Sequence, residues 1–204
     1  MTWTGGRADR ARALVERYPD RRSAVMPLLY LASLEYGYVT DEAVRDVAEM
    51  TGQTAAQVEA VASFYTMYKR HPVGRYLVSV CTSISCYLLD ADDVLQAVEE
   101  STGTRDGDTA ADGFFTVEHV ECLGACGGAP AVQVNYELVE GVVPDKAGAM
   151  CRWLRETRPE VVLGDELQER FGGRRSFPWG PLEPSGAVAP LPAFSPYGTA
   201  GGPE

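Results

Sequence analysis

The spacing of hydrophobic residues changes along the chain from a helical period to an alternating one. In the stretch DEAVRDVAEM, three apolar residues fall on one helical face, namely Val44, Val47 and Ala48. Thr40 precedes this face and is suited to be the N-cap of the helix. The pattern predicts that residues 1–72 form an N-terminal helical region.

A further helix is predicted in the same region. Thr54 and Gln57 have the spacing of a capping box at its start. Pro27 is expected to begin or bend an earlier helix, because proline is poorly tolerated in a helix interior. Helical spacing after Gln57 places four residues on one stripe: Val58, Val61, Tyr65 and Tyr68. Phe64, Tyr65 and Tyr68 could form an interface, but we expect them to pack in a core.

Alternation of apolar and polar residues predicts a mixed α/β domain over residues 73–160. Strands are expected at RYLVSV, at FFTVEHV and within AVQVNYELV, and helices at ADDVLQAVEES and at PDKAGAMCRWLRE. A strand, a crossover helix, further strands and a final helix make a small α/β sandwich, of which the thioredoxin-like fold is the commonest version. The predicted fold class is therefore α/β, with an N-terminal helical bundle followed by a thioredoxin-like domain.

Composition changes again towards the C-terminus. Residues 172–204 contain seven glycines and seven prolines, which is too many for a packed domain. We expect residues 161–204 to be a Gly/Pro-rich flexible tail that serves as a linker or as an arm that orders on a partner. Phe177 and Trp179 are the aromatic residues expected to anchor such an arm.

Charge and hydropathy argue against two classes of protein, namely nucleic-acid-binding proteins and membrane-spanning proteins. A net charge of -11 repels phosphate backbones and anionic lipid, so nucleic acid is not an expected partner. The apolar run SAVMPLLYLAS is about half the length that a membrane-spanning helix needs, and MTWTGGRADR has no apolar signal core. We therefore expect a cytoplasmic chain without direct membrane insertion, whose partner is a protein.

Four of the five cysteines are predicted to lie in loops at strand ends. Cys81 ends the first strand and Cys86 follows five positions later, while Cys122 and Cys126 flank the loop between the next two strands. Loops at one edge of a sheet can converge on a single point, as a tetrathiolate site requires. Cytoplasmic thiols are kept reduced, so metal binding or redox chemistry is expected rather than structural disulfides.

Three glycines fit such a site. Gly124, Gly127 and Gly128 lack side chains, which would let the backbone fold around a bulky centre and aim N–H groups at sulfur. The fifth cysteine, Cys151, lies in a predicted helix and is interpreted as a small buried hydrophobic residue.

The spacing of the cysteines favours iron–sulfur over zinc. Structural zinc sites mostly use pairs two to four residues apart, a spacing that suits Cys122 and Cys126 but not the wider pair of Cys81 and Cys86. Zinc, a disulfide and unliganded thiols stay open as alternatives. A Rieske centre would need two histidine ligands, but His71 is far along the chain from the cysteine loops and His119 is predicted to face solvent from a strand.

Two other classes of protein are alternatives to an iron–sulfur protein. A thioredoxin-like thiol enzyme would use a CxxC pair at a helix N-terminus, and neither cysteine pair has that spacing. In a zinc-stabilised interaction module, zinc would hold the fold, and the acidic surface and the tail would bind the partner. No GxGxxG after a strand and no GxxxxGK[ST] occurs, so the chain is not expected to bind a nucleotide itself.

The sequence resembles the thioredoxin-like 2Fe-2S subunit of NADH:quinone oxidoreductase, respiratory complex I, also called the 24 kDa subunit. The likeness covers about residues 13–157, through YPDRRSAVMPLL, VASFYTMY, PVGRYLVSVC and GDTAADGFFTVEHVECLGACGGAP. The resemblance implies that one 2Fe-2S cluster is held by the four matching cysteines: Cys81, Cys86, Cys122 and Cys126.

The resemblance also implies partners and a place in the cell. The chain would dock on the FMN-containing, NADH-binding subunit of a larger redox complex, with FMN and NAD on that partner and not on this chain. It would be an electron carrier that does not oxidise NADH alone, peripheral to the inner face of the cell membrane through the complex. Equivalent diaphorase subunits of NAD-dependent formate dehydrogenases and NAD-reducing hydrogenases share these motifs and stay open as hosts.

Overall fold

The structure is a computed structural model that describes residues 3–176. The chain divides into two compact units, Met1–Val73 and Gly74–Glu204. Among the described residues, no helix has both the length and the apolar character needed to cross a membrane.

The first unit is helical, as the sequence predicted. Its buried residues come from all four helices, and Leu28, Leu29, Val47 and Val58 are fully buried in its core. The helices, with a 3-10 turn between the first two, are α1 (Gly6–Glu16), the turn (Arg21–Ala24), α2 (Val25–Tyr36), α3 (Asp41–Thr51) and α4 (Ala55–Phe64).

The predicted helix starts in this unit are confirmed. The Thr40 hydroxyl accepts from the backbone N–H of Ala43 at 3.1 Å and caps α3. The Thr54 hydroxyl accepts from the N–H of Gln57 at 3.2 Å, and the Gln57 side chain accepts from the N–H of Thr54 at 2.9 Å, which completes the capping box of α4. Pro27 lies in the first turn of α2, where its missing N–H costs nothing.

The predicted stripe of buried side chains after Gln57 is wrong at its C-terminal end. Helix α4 ends at Phe64, and the next residue, Tyr65, has an extended backbone. Phe64 is 76% exposed and Tyr65 is 39% exposed, whereas Val58 is buried. Tyr68 is also buried, and its hydroxyl donates to the backbone carbonyl of Met26 at 2.9 Å. Helical spacing therefore does not predict which side chains are buried beyond Phe64, where the helix ends.

The second unit is an α/β sandwich with a four-stranded sheet in the order β2-β1-β3-β4. The predicted α/β fold with an N-terminal helical bundle is confirmed. The elements of this unit are β1 (Tyr76–Cys81), α5 (Ile84–Tyr87), α6 (Ala91–Thr102), β2 (Phe115–Val120), β3 (Ala131–Val134), β4 (Glu137–Glu140), α7 (Pro144–Thr157) and α8 (Gly164–Phe171).

Strand β1 lies at the centre of the sheet, and all six of its residues are buried. It pairs in parallel with β2, with Cys81 opposite Val120, and the parallel connection runs through helix α6. It pairs antiparallel with β3, with Val80 opposite Val132. The end of β1, the end of β2 and the start of β3 therefore lie at the same end of the sheet.

One face of the sheet carries the main core of this unit. Helices α6 and α7 pack against each other and supply Val94, Val98, Met150 and Leu154 to a cluster with alternate residues of the strands. Cys81 and Ala131, whose side chains lie on the other face of the sheet, belong to a separate small cluster at the end of the sheet. The sheet thus separates its main core from the cysteine region.

The predicted flexible tail begins too early. Residues Gly164–Phe171 form helix α8, which packs on β4 and buries Leu167 and Phe171 in the main core. The Gly/Pro content that predicted a tail lies beyond residue 171, whereas these two apolar residues have the spacing of one helical face. Phe177 and Trp179, the predicted anchoring residues, lie outside the described residues.

Candidate metal centre

All four candidate ligands lie at the end of the sheet where β1 and β2 finish and β3 begins. Parallel strands have their carboxyl ends at one edge, and an antiparallel neighbour starts there. Cys81 is the last residue of β1 and Cys86 lies in the short helix α5 that follows. Cys122 and Cys126 lie in the connection from β2 to β3. The topology therefore brings together loops that are far apart in sequence.

The first pair is buried and the second pair is exposed. Cys81 and Cys86 are each 2% exposed, and both pack against small apolar residues, Ala91, Ala125 and Ala131. The thiols of Cys122 and Cys126 face the solvent and lie 3.5 Å apart, sulfur to sulfur. All five cysteines of the chain are free thiols.

The second cysteine loop, residues 121–128, directs a backbone N–H at a sulfur. Gly124 has a left-handed backbone, with φ of 79°, that residues with a side chain rarely adopt. In this conformation its N–H donates to Cys122 Sγ at 3.4 Å. The N–H of Gly124, followed by the thiol of Cys126, lowers the pKa of Cys122. This loop favours the thiolate, the form that binds metal.

Contacts between thiols and burial also shift the pKa values of Cys126 and Cys86. The neighbouring Cys122 raises the pKa of Cys126, while a hydrogen bond from the Ser85 hydroxyl opposes that change. Burial raises the pKa of Cys86 to about 11, with additional repulsion from Cys81 and Cys126 and with an opposing hydrogen bond from the backbone of Ala131. Contacts therefore connect each pair to the other across the two loops.

The remaining candidates lie elsewhere, as predicted. Cys151 is 1% exposed in the main core between α7 and the sheet, and burial raises its pKa to about 12. His119 is exposed on β2, and its Nδ1 lies 2.6 Å from a carboxylate oxygen of Asp106. Its interpretation as a solvent-facing strand residue is confirmed. His71 belongs to the first unit.

The prediction that a glycine aims its N–H at sulfur is confirmed at Gly124, whereas the space predicted around Gly127 and Gly128 needs correction. A Cβ on Gly127 would meet Ser176 at 3.2–3.4 Å, and a Cβ on Gly128 would lie 2.5 Å from Glu140 Oε1 and 2.8 Å from Arg174 O. These two glycines make room for a segment that follows α8, residues 172–176, which we call the C-terminal strap.

Sequence reasoning missed the residues that support the second cysteine loop. Ser85, Glu140 and Ser176 contact the loop from outside it, and Gln168 acts through its hydrogen bonds to Glu140. The adjacent pair Gly127-Gly128 was the signal that could have revealed a close backbone approach at this point.

The donors present fit a 2Fe-2S cluster. Within residues 3–176, no three Cys, His, Asp or Glu side chains are arranged to hold a single metal ion. A diiron core has a different requirement, which is two thiolates on each of two irons. The two cysteine pairs, the Gly124 N–H directed at sulfur and a buried Ser176 hydroxyl without a partner among the described residues supply thiolates and donors of that kind.

Curated relatives of the chain are named as subunits of NADH-quinone oxidoreductase. The chain is 43% identical over 151 residues to an NADH-quinone oxidoreductase subunit of Mycobacterium bovis, a match that covers 74% of this chain and 60% of the relative. It is 39% identical over 142 residues to an NADH-quinone oxidoreductase subunit of Thermus thermophilus, covering 68% of this chain and 78% of the relative. The chain thus spans about 60% of the length of its mycobacterial relatives.

A solved structure shares the fold. A chain of an NAD+-reducing [NiFe]-hydrogenase superposes with a TM-score of 0.56 at 18% identity, covering 64% of this chain and 22% of that chain. The model of the thioredoxin-like [2Fe-2S] ferredoxin family matches residues 11–155, which contain both cysteine pairs. The resemblance stated from the sequence is confirmed, and the chain belongs to the thioredoxin-like [2Fe-2S] ferredoxin family.

Proposed function

We propose that this chain is the electron-transfer subunit of an NADH:quinone oxidoreductase. In this proposal Cys81, Cys86, Cys122 and Cys126 hold one 2Fe-2S cluster, which exchanges single electrons with the flavin of an NADH-binding partner subunit. The observation that carries the proposal is the placement of two cysteine pairs at one end of the sheet in a chain of the 2Fe-2S family.

Each cysteine pair has its own role in this proposal. When bound, a 2Fe-2S cluster takes up or releases one electron at a time. Cys81 and Cys86 would hold the cluster from the buried side, and Cys122 and Cys126 from the side that faces solvent. The Gly124 N–H stabilises the thiolate of Cys122, which lowers the free energy needed to deprotonate that ligand. Exposure of the second pair leaves that side of the site open to an electron-transfer partner.

The NADH-binding site and the quinone site belong to partners in this proposal. The curated relatives are named as subunits of NADH-quinone oxidoreductase, and this name supports a host complex of that kind. The chain would be peripheral to the inner face of the cell membrane through that complex, with FMN and NAD on the neighbouring subunit. The likeness to the hydrogenase is one of fold, so it does not favour a hydrogenase as the host.

The experiment has two parts, one for the cluster and one for the host. Anaerobically purified chain should contain two irons and two acid-labile sulfides, show the EPR signal of a reduced 2Fe-2S cluster and fail to oxidise NADH. Zinc in place of iron would refute the cluster. The native complex, isolated through a tag on this chain, should contain a flavoprotein and reduce quinone with NADH, and co-purification with a formate dehydrogenase or a hydrogenase instead would refute the host.

A further inference from the structure

A buried hydroxyl lies against the second cysteine loop. Ser176 Oγ is shielded from solvent and has no hydrogen-bond partner among the described residues. It lies 3.3 Å from the position that a Cβ on Gly127 would occupy, and Gly127 directly follows Cys126. A buried hydroxyl without an acceptor is unfavourable, so an acceptor is expected at this place.

Glu140 holds Ser176 in this position. The backbone N–H of Ser176 donates to Glu140 Oε1 at 2.9 Å, and Glu140 is 4% exposed at the end of β4. The same carboxylate oxygen lies 2.5 Å from a Cβ built on Gly128. One buried carboxylate thus contacts both the cysteine loop and the C-terminal strap.

Helix α8 fixes the path of the strap. The Gln168 side chain accepts from the N–H of Glu140 at 2.8 Å and donates to the carbonyl of Glu140 at 3.1 Å. It also donates to the carbonyl of Gly173 at 3.2 Å, while the N–H of Gly173 donates to the Glu140 carbonyl at 2.8 Å. The strap is therefore hydrogen-bonded to β4 over its first residues, and this fixes where Ser176 lies.

The end of β4 and the C-terminal strap pack closely against the backbone of the cysteine loop. The Gly141 N–H donates to the carbonyl of Gly128 at 2.5 Å, and a Cβ on Gly128 would lie 2.8 Å from both Arg174 O and Ser176 N. Because the backbones of the cysteine loop and of the strap pack so closely, the Ser176 hydroxyl faces the loop in a fixed position.

We propose that Ser176 donates a hydrogen bond from its hydroxyl to sulfur of the cluster at the Cys126 side, and that Glu140 is the residue that positions it. This proposal rests on the proposed function, because the acceptor is a thiolate or sulfide of the bound cluster. Hydrogen bonds to the sulfurs tune the potential of iron–sulfur clusters. Reduction adds negative charge to the cluster, so a hydrogen-bond donor stabilises the reduced form and raises the potential.

The test compares full-length, cluster-loaded variants of Ser176. Ser176→Ala removes the hydroxyl and keeps the N–H that Glu140 accepts. At a fixed ambient potential we expect the ratio of reduced to oxidised cluster to fall at least about threefold, which is about 28 mV at 59 mV per tenfold change for one electron. Iron per chain should stay at the wild-type value. Ser176→Thr retains a hydroxyl and should keep the wild-type ratio of reduced to oxidised cluster at the same ambient potential.

A second measurement reports the hydrogen bond itself. The Fe–S stretching bands of the wild type should shift between H₂O and D₂O, and part of this shift should be lost in Ser176→Ala. Ser63→Ala, in the first unit, is the matched serine control and should change neither measurement, since its hydroxyl lies near the carbonyl of Ala60.

Each outcome decides one question. An unchanged midpoint and an unchanged isotope shift in Ser176→Ala would overturn the hydrogen bond while leaving the cluster in place. Should Ser176→Ala lose its iron, Ser176→Thr decides, because a midpoint lowered in the threonine variant would also overturn the proposal. Absence of a 2Fe-2S signal from the wild type would instead refute the proposed function.

Discussion

Gly128→Ala should destabilise the second unit strongly, whereas Gly127→Ala, one residue away, should not. Neither glycine has a positive φ, so the added methyl group acts by its volume alone. At Gly128 the methyl would lie 2.5 Å from Glu140 Oε1 and 2.8 Å from two backbone atoms, Arg174 O and Ser176 N. At Gly127 the nearest atom is Ser176 Cα at 3.2 Å.

These distances set the expected magnitude. Overpacking typically costs about 1–3 kcal/mol, and a methyl group pressed against backbone on one side and a buried carboxylate on the other belongs at the upper end. One kcal/mol lowers the midpoint of a domain of about 100 residues by about 4 °C or more, so Gly128→Ala should lower it by about 10 °C. At Gly127 a displacement of a few tenths of an ångström suffices, and the cost should stay below about 1 kcal/mol.

The assay is thermal unfolding of the cluster-loaded chain, followed by far-UV circular dichroism and by the visible absorption of the cluster. Iron per chain should also fall in Gly128→Ala, because the displaced turn carries Cys126. The reasoning would be refuted if Gly128→Ala melted within 2 °C or so of the wild type, or if Gly127→Ala were the more damaging change.

Further predictions concern individual side chains of the site. Cys126→Ala should lose the cluster, whereas Cys151→Ser should keep its iron and EPR signal at a stability cost of about 1–3 kcal/mol for the buried hydroxyl. Glu121→Gln should raise the midpoint potential by tens of millivolts, an effect that shrinks with salt, because Glu121 is exposed and repels the Cys122 thiolate. Ser85→Ala should lower the midpoint potential by about 30 mV through loss of the hydroxyl that stabilises the Cys126 thiolate, as measured by redox titration with EPR.

Three results would contradict these predictions. The ligand assignment fails if the Cys151 variant loses its EPR signal while a variant of one of the other four cysteines retains it. The electrostatic role of Glu121 fails if the midpoint is unchanged or lowered at low salt. The role of Ser85 fails if the midpoint of its alanine variant equals that of the wild type.

The sequence was most informative where local rules decide the structure. The capping box at Thr54 and Gln57 follows from hydrogen bonds between neighbours, and the strand ending at Cys81 follows from a short run of strand-forming residues, YLVSV. Both were predicted at the correct residues. The end of α4 was missed because the chain leaves the helix at Tyr65, and no glycine or proline marks that change.

Contacts between distant residues could not be predicted. Glu140 lies on a short strand and Ser176 lies in a segment whose composition suggests a tail, so neither residue has a local pattern that connects it to Cys126. Their association depends on how α8 packs on β4, which is a tertiary contact. The cysteines were found because thiols are rare in this chain, whereas a supporting glutamate and serine are common residue types.

The parallel pairing of β1 with β2 has a consequence for how the protein acquires iron during biosynthesis. Cys81 and Cys86 are synthesised before β2, and the second pair follows the far end of that strand. A parallel pair forms only after its crossover helix has been made, which makes such contacts late events in folding. The four thiols therefore lie at one place only in a chain whose sheet has formed. Iron delivered earlier would meet two separate pairs of thiols.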